Sequence, residues 1–249
     1  MDHAEPGRGG ITLPGAHGTA VPARRRWLVG AGAVAGLMLS RWAAGQAGGG
    51  ADEGEEVSPA EDLMREHGVL KRVLLVYGEA IRRIDAREEL PPDAVADGAT
   101  IIRTFIEDYH EKLEEDYLFP RFEKAGRLTD LTAVLRAQHQ AGRRLTDRVR
   151  QLSTLQALRS PESARTLRDR LQAFTRMYEP HEAREDTVLF PAFRTIVSTQ
   201  EYGALGEDFE KREHQLFGED GFERMVDRVA AIEKRLGIYE LGQFTPKTP

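Results

Sequence analysis

Two stretches of the chain are nearly one motif written twice. His110-Glu-Lys-Leu-Glu114-Glu-Asp-Tyr-Leu-Phe-Pro120 and His181-Glu-Ala-Arg-Glu185-Asp-Thr-Val-Leu-Phe-Pro191 both read H-E-x-x-E-[ED]-x-x-L-F-P, and they lie 71 residues apart. The likeness continues to Phe122 and Phe193. Residues four apart on a helix sit one above the other. Each copy therefore presents an imidazole and a carboxylate on one face, as a helix does when it offers two ligands to one metal. Carboxylate–histidine pairs on separate helices of a bundle build metal centres in its core. Two copies in one chain predict two pairs facing each other across a pseudo-twofold axis.

Two lone histidines keep almost the same period: His67 and His139 are 72 residues apart. The chain thus reads as a duplicated helix pair, each half bringing one lone His and one His–Glu pair. The faces agree with burial. His67 has Leu63, Leu70 and Leu74 at helical offsets, His110 has Ile106 and Leu113, and His181 has Phe174 and Met177. His139 has Leu135, with Arg136 and Arg143 on nearby faces. A buried, unpaired carboxylate is costly and tends to neutralise. Two glutamates bridging two divalent metals would remove that cost.

The surrounding pattern is helical. Ser58-Pro59-Ala60-Glu61 is a capping box with Pro at the first helical position, and it predicts a helix to about Ile84. A second helix is expected from about Asp93 to Lys124, bending near Pro120. A third is expected from Thr129 to Leu158, and a fourth from Ser160-Pro161 to Ser198. Pro180 lies inside the fourth, where an interior Pro removes one backbone hydrogen bond. It either kinks the helix to aim His181 inward or is simply tolerated. Beyond Gly203 the chain stays helical through Phe209, His214 and Met225 to Leu236. No window alternates with period two, so no sheet is expected. The reading is an all-α, up-down-up-down four-helix bundle over residues 58–198, with a C-terminal helical extension over 199–249.

Composition narrows the chemistry. The chain has 249 residues, 40% of them apolar, and a formal charge of −6. Its first fifty residues carry +3, which leaves −9 on the remainder. So acidic a domain is a poor partner for nucleic acid or an anionic membrane surface. The absence of cysteine excludes disulfides, thiolate sites and iron–sulfur clusters. Any metal must be held by nitrogen and oxygen, which suits iron, manganese or zinc. At the N-terminus, Arg24-Arg25-Arg26-Trp27-Leu28 precedes about twelve weakly apolar residues, too few to span a bilayer, which needs about 20. The pattern resembles a twin-arginine export signal, with Ala23 and Val29 departing from its usual residues. Residues 1–45 are therefore expected to be a signal peptide, 46–57 a flexible linker, and the protein exported, with no stable membrane span in the mature form.

Taken together, His67, His110-x-x-x-Glu114, His139 and His181-x-x-x-Glu185 resemble the hemerythrin-like (HHE cation-binding) domain. The resemblance implies a bundle enclosing two non-haem iron ions bridged by carboxylates. Carried over by position, His67 and His110 would serve one iron, His139 and His181 the other, and Glu114 and Glu185 would bridge. Where oxygen-carrying hemerythrins have a second His one turn after the lone His of the third helix, this chain has Arg143. One ligand fewer implies an additional open position, and favours redox reactivity over pure oxygen carriage.

Asp186 occupies the place of a bridging Asp in those carriers, although Glu185 fits the bacterial-type pattern better. Glu111 and Glu182 could also reach a metal. His214 is either a fifth nitrogen or a solvated residue, and Tyr178 either a donor to a bound oxygen species or a core residue. Lys71 and Arg143 either support the ligands or reach for solvent. The expected small ligand is diatomic or a peroxide, and a catalase- or peroxidase-like activity would fit. The alternative is an O₂ or redox sensor, or an iron-binding module without turnover. Ferritin-style storage fits poorly, because such sites use E-x-x-H spacing.

Overall fold

The computed structural model describes residues 57–247. Helix α1 spans Pro59–Ala86. The Ser58 hydroxyl accepts from the Glu61 amide at 3.3 Å, and Arg87 closes the helix in the left-handed conformation, its N–H donating to the Arg83 and Ile84 carbonyls. Helix α2 is one uninterrupted run, residues 92–125, stopped by Gly126 at φ 62°. Helix α3 spans Thr129–Leu152 and the short α4 spans Leu155–Arg159. Helix α5 covers residues 161–193. Helices α6 (Thr199–Phe217) and α7 (Gly221–Leu236) follow, then a 3-10 turn at Leu241–Phe244. No strand occurs among the described residues.

Helices α1, α2, α3 and α5 close a ring in which α1 packs on α2, α2 on α3, α3 on α5 and α5 on α1. This is the all-α bundle expected from the sequence. Its distal half is apolar, with Val73, Tyr77, Phe105, Leu167, Leu171 and Phe174 fully buried. Helix α7 covers α1 and α2 from outside, where Arg72 makes a two-pronged ion pair with Glu233, its Nε–Oε1 arm 3.0 Å long. Among the described residues no helix is long and apolar enough to cross a membrane.

Three details differ from the sequence expectation. The third helix stops at Leu152 rather than Leu158, because the Ser153 hydroxyl turns back onto the Val149 carbonyl at 2.7 Å and Thr154 caps a new turn. The fourth ends at Phe193 rather than Ser198, since Ser198 serves as the N-cap of α6. Pro180 is exposed and the helical segment Pro161–Arg184 runs through it, so it is tolerated and the helix changes pitch only further on. The leader and linker expectations fall outside the described residues, apart from Val57.

Both motif copies do change pitch, at matching places. Wider π turns occupy Glu114–Leu118 and Glu185–Leu189. The Phe119 N–H donates to the Glu114 carbonyl and the Phe190 N–H to the Glu185 carbonyl, each five residues back. A π stretch at Ile102–His110 of α2 has no proline beside it, but at the two motif turns the Pro that follows each Phe gives a local reason. It has no N–H to donate and crowds the carbonyl four residues before it, and the wider turn relieves that conflict. The bend expected near Pro120 takes this form, and each π turn begins on a motif glutamate.

Candidate metal centre

The centre forms in the half of the bundle that holds the two L-F-P segments. The side chains of His67, His110, Glu114, His139, His181 and Glu185 converge there, and none is more than 3% exposed. Helix α1 supplies His67, α2 supplies His110 and Glu114, α3 supplies His139, and α5 supplies His181 and Glu185. The histidines form two close pairs. The rings of His67 and His110 have centroids 4.7 Å apart, and those of His139 and His181 are 5.1 Å apart.

The glutamates connect these pairs. Glu114 Oε2 lies 3.8 Å from His110 Nε2 and 3.4 Å from His139 Nε2. Glu185 Oε1 lies 3.1 Å from His181 Nε2, and its Oε2 lies 3.4 Å from His67 Nε2. Each carboxylate thus sits between one histidine of each pair. The donor atoms of Glu114, His139, His181 and Glu185 all fall within 4.8 Å of one another.

Every imidazole is held from behind through Nδ1. His67 Nδ1 donates to Asp186 at 2.7 Å, His110 Nδ1 to Glu66 at 2.7 Å, His139 Nδ1 to Glu115 at 3.1 Å and His181 Nδ1 to Gln138 at 2.8 Å. All four acceptors are oxygens, so Nδ1 carries a hydrogen and Nε2 faces inward, free to offer its lone pair once a metal displaces any proton there. This is how protein groups fix metal-binding histidines. Phe190 stacks on His67 at 5.5 Å and Phe119 on His139 at 5.5 Å, so the Phe of each L-F-P segment clamps the lone His of the opposite half.

These orienting groups were missed in reading the sequence. They carried a signal nonetheless: Glu66 and Gln138 each precede a lone His, and Glu115 and Asp186 each follow a motif Glu, all at the repeat period. Asp186 orients His67 instead of taking the bridging place. Neither Glu111 nor Glu182 faces an Nε2: Glu111 lies behind His139, 4.0 Å from its Nδ1, and both carboxylates are taken by other partners. Glu111 meets Arg143 at 2.8 Å and accepts from Tyr178 Oη at 2.6 Å, while Glu182 meets Lys71 at 2.6 Å. Tyr178 therefore does point inward, and Gly142 makes room for it: a Cβ there would lie 2.0 Å from its hydroxyl. His214 stands half-exposed on α6, 3.9 Å from Glu210, and takes no part in the centre. Glu66, which holds His110, also belongs to a buried carboxylate group with Asp62 and Glu213, between α1 and α6.

The donor set fits a metal. Both oxygens of Glu114, both of Glu185, and Nε2 of His110 and His139 are buried without a hydrogen-bond partner, and buried polar atoms are seldom left so. Without a cation the groups share protons. Burial, then repulsion from Glu185, raises Glu114 to about 8. Burial works against a charged His67, but the hydrogen bond to Asp186 and the nearby Glu185 carboxylate outweigh it and raise the ring to about 10. Burial likewise opposes charge on His139, yet Glu111 and Glu114 bring it to about 10. Glu185 stays well below the usual carboxylate range despite its burial, because His181 and His67 flank it. A divalent metal would displace these shared protons.

A helical bundle with a buried His/Glu cluster of this kind defines a cation-binding bundle. The chain belongs to the hemerythrin family: residues 58–193 match the family described as the Hemerythrin HHE cation binding domain. Among its relatives are uncharacterised proteins of Mycobacterium bovis and Mycobacterium tuberculosis, 57% identical over 190 residues, which cover 76% of this chain and 74% of theirs. No solved structure matches the chain.

Proposed function

We propose that the bundle holds two iron ions, with His67 and His110 as ligands of one, His139 and His181 of the other, and Glu114 and Glu185 bridging them. The centre would bind O₂ or react with peroxide or nitric oxide. One observation carries the reading: two buried, unpartnered carboxylates each lie between histidines of opposite halves, and no histidine can turn away because its Nδ1 is engaged. A bound iron pair supplies Lewis acidity and one-electron redox chemistry toward small oxygen and nitrogen ligands.

The protein's own residues do the rest. Two nitrogens and two carboxylate oxygens per metal leave coordination positions for water or a small ligand. Phe119 and Phe190 exclude bulk water from the ligand rings. Tyr178 holds a proton beside His181, its ring 5.2 Å from the imidazole, and Glu111 orients it. Arg143 stands one turn after His139 and is committed to Glu111 and Glu115, so no fifth imidazole completes the set.

The test is metal analysis of native protein, with optical spectra before and after peroxide. Two irons per chain, charge-transfer absorption and peroxide loss are expected. Iron-loaded protein that shows neither the absorption nor the turnover would sink the reading. A second reading, a redox sensor without turnover, is favoured by the contact of His110 with Glu66, whose carboxylate group includes Glu213 of α6. A change in α6 between reduced and oxidised protein, without peroxide loss, would select it. We further read the arginine-led leader as directing export of the folded protein, which fractionation of cells producing the full chain would test.

A further inference from the structure

Charge is unevenly distributed over the bundle. Residues 136–176, which cover most of α3, all of α4 and the first half of α5, hold ten arginines, no lysine and three acidic residues. They carry +7, inside a region, residues 51–249, that carries −9 in all. Arg136, Arg143 and Arg168 are engaged by Glu123, Glu111 and Asp85. Others stand on one open face. Arg144 lies two positions from buried Gly142 and from buried Thr146, and Arg176 two positions from Phe174 and from Tyr178. On a helix that offset points about 160° away from the core. Arg148 follows Arg144 by one turn, and Arg165 precedes Arg176 by three. All four are exposed, and none has an ion pair among the described residues; Arg148 donates to the Gln151 amide oxygen at 2.6 Å.

These four arginines form one surface. Helices α3 and α5 pack side by side and antiparallel, with Gly142 against Tyr178 and Gln138 against His181. Arg144 and Arg176, each two residues farther from the centre, therefore lie level across the seam. Two carboxylates interspersed among the arginines are already held, Asp147 by Arg103 at 2.6 Å and Asp169 by Arg168 at 3.3 Å. Beneath the seam lies Tyr178, 1% exposed, its ring 5.2 Å from the His181 imidazole. The side of the ring away from α3 and α5 has the opposite sign. There α6 packs on α1, and residues 199–223 hold eight acids against two bases.

We propose that the α3/α5 arginine face docks an acidic electron-carrier protein, which delivers electrons to the centre beneath it. The electron role rests on the iron reading above. Reduction of one peroxide to two waters takes up two electrons and two protons (H₂O₂ + 2 e⁻ + 2 H⁺ → 2 H₂O). The carrier supplies the electrons one at a time, and solvent supplies the protons. The chain has no cysteine, and so no thiol of its own to serve as reductant. Guanidinium groups pair with carboxylates in two-pronged fashion, and a patch of one sign speeds encounter with a surface of the other. Four arginines along about 16 Å of α5 suit the small, transient interfaces that redox partners use. A long polyanion fits less well. Duplex DNA or an anionic membrane would extend past the patch onto the acidic remainder of the molecule and be repelled there. The body of α5, with Tyr178 on its inner side, separates this face from His181.

The test uses full-length protein and two acidic carriers as probes, a 2Fe–2S ferredoxin and a flavodoxin. Docking is read on metal-free protein, by amide NMR shifts and stopped-flow association, so it does not depend on iron. At least one carrier should bind at low salt, bind more weakly as salt rises, and shift amides of α3 and α5. Arg144→Glu combined with Arg176→Glu should slow association about 10-fold or more. The matched reversal Arg224→Glu with Arg228→Glu, at exposed positions of α7, should leave it nearly unchanged. Thermal melts verify that each variant folds. With iron-loaded protein, the reduced carrier should be oxidised when peroxide is added. The Arg144/Arg176 variant should slow that oxidation by the same factor, while turnover driven by dithionite keeps the wild-type rate. Absence of binding by both carriers, equal losses from both reversals, self-association through this face, or tighter binding there of duplex DNA or phosphatidylserine vesicles would overturn the inference. Docking without oxidation of the carrier, where dithionite does support turnover, would overturn the electron role. All of these leave the iron reading intact. Docking on a chain that takes up no iron would instead overturn the iron reading, and the electron role with it.

Discussion

Glu107 shows how a single buried group sets a property of the whole. It sits three residues before His110, hydrogen-bonded by the Thr146 hydroxyl and paired with Arg103 at 2.7 Å. Burial raises it from the ordinary 4.5 to about 7, against the pull of Thr146 and Arg103. The folded chain therefore holds this proton more tightly than the unfolded chain. Its stabilising effect is complete below about pH 4.5 and is lost as pH rises through 7. A shift of this size corresponds to about 3 kcal/mol. Glu107→Gln removes the dependence. Urea unfolding at pH 4.5 and 7.5 should show the variant gaining up to about 3 kcal/mol on the wild type across that interval. A constant difference between the two proteins would refute the assignment.

At the scale of the element, α7 is fastened to the bundle by ion pairs, Arg72 with Glu233 and Arg235 with Asp93 and Asp97, and by a hydrogen bond from Arg83 to its backbone. Glu233 is nearly buried and receives Arg72 in two-pronged fashion, and Arg83 donates to the Leu236 carbonyl at 2.7 Å. Hydrogen bonds to charged groups contribute about 1.5–3 kcal/mol each. Glu233→Ala should destabilise by about 2 kcal/mol and speed amide exchange in α7 before α1. Equal acceleration in both would argue against a local fastening.

Sequence reading reached the six converging side chains because each marks a helix face at a fixed spacing. It placed His139 on the least apolar face, yet His139 is fully buried. Its flanking arginines are drawn off by carboxylates, Arg136 by Glu123 and Arg143 by Glu111 and Glu115, pairings that periodicity cannot express. The π turns were legible only as a bend, since a lone Pro does not reveal which hydrogen bonds will lengthen. The early ends of α3 and α5 turned on the local hydroxyl contacts of Ser153 with the Val149 carbonyl and of Ser198 with the Glu201 amide, which hydrophobic periodicity does not register.

At the scale of the molecule, the bundle is two unlike halves, one apolar and closed, the other crowded with charge that a cation would neutralise. Metal should therefore act on the whole fold. Free metal at about 1,000 times its dissociation constant adds about 4 kcal/mol. For a domain of this size that is about 8–16 °C in Tm. Differential scanning of metal-free and iron-loaded protein should show this rise, and Glu185→Gln should remove most of it. An unchanged Tm on loading would count against the centre as drawn.

The exchange of clamps between halves has a consequence for assembly. Helices α3 to α5 carry His139, which needs a Phe and a carboxylate from outside, and also Phe190, Glu185 and Asp186, which serve a lone histidine elsewhere. Plug and socket lie on the same surface. Such a surface is self-complementary, the requirement for a twofold dimer. A fragment of residues 129–193 should therefore pair with its own copy, each chain completing the other.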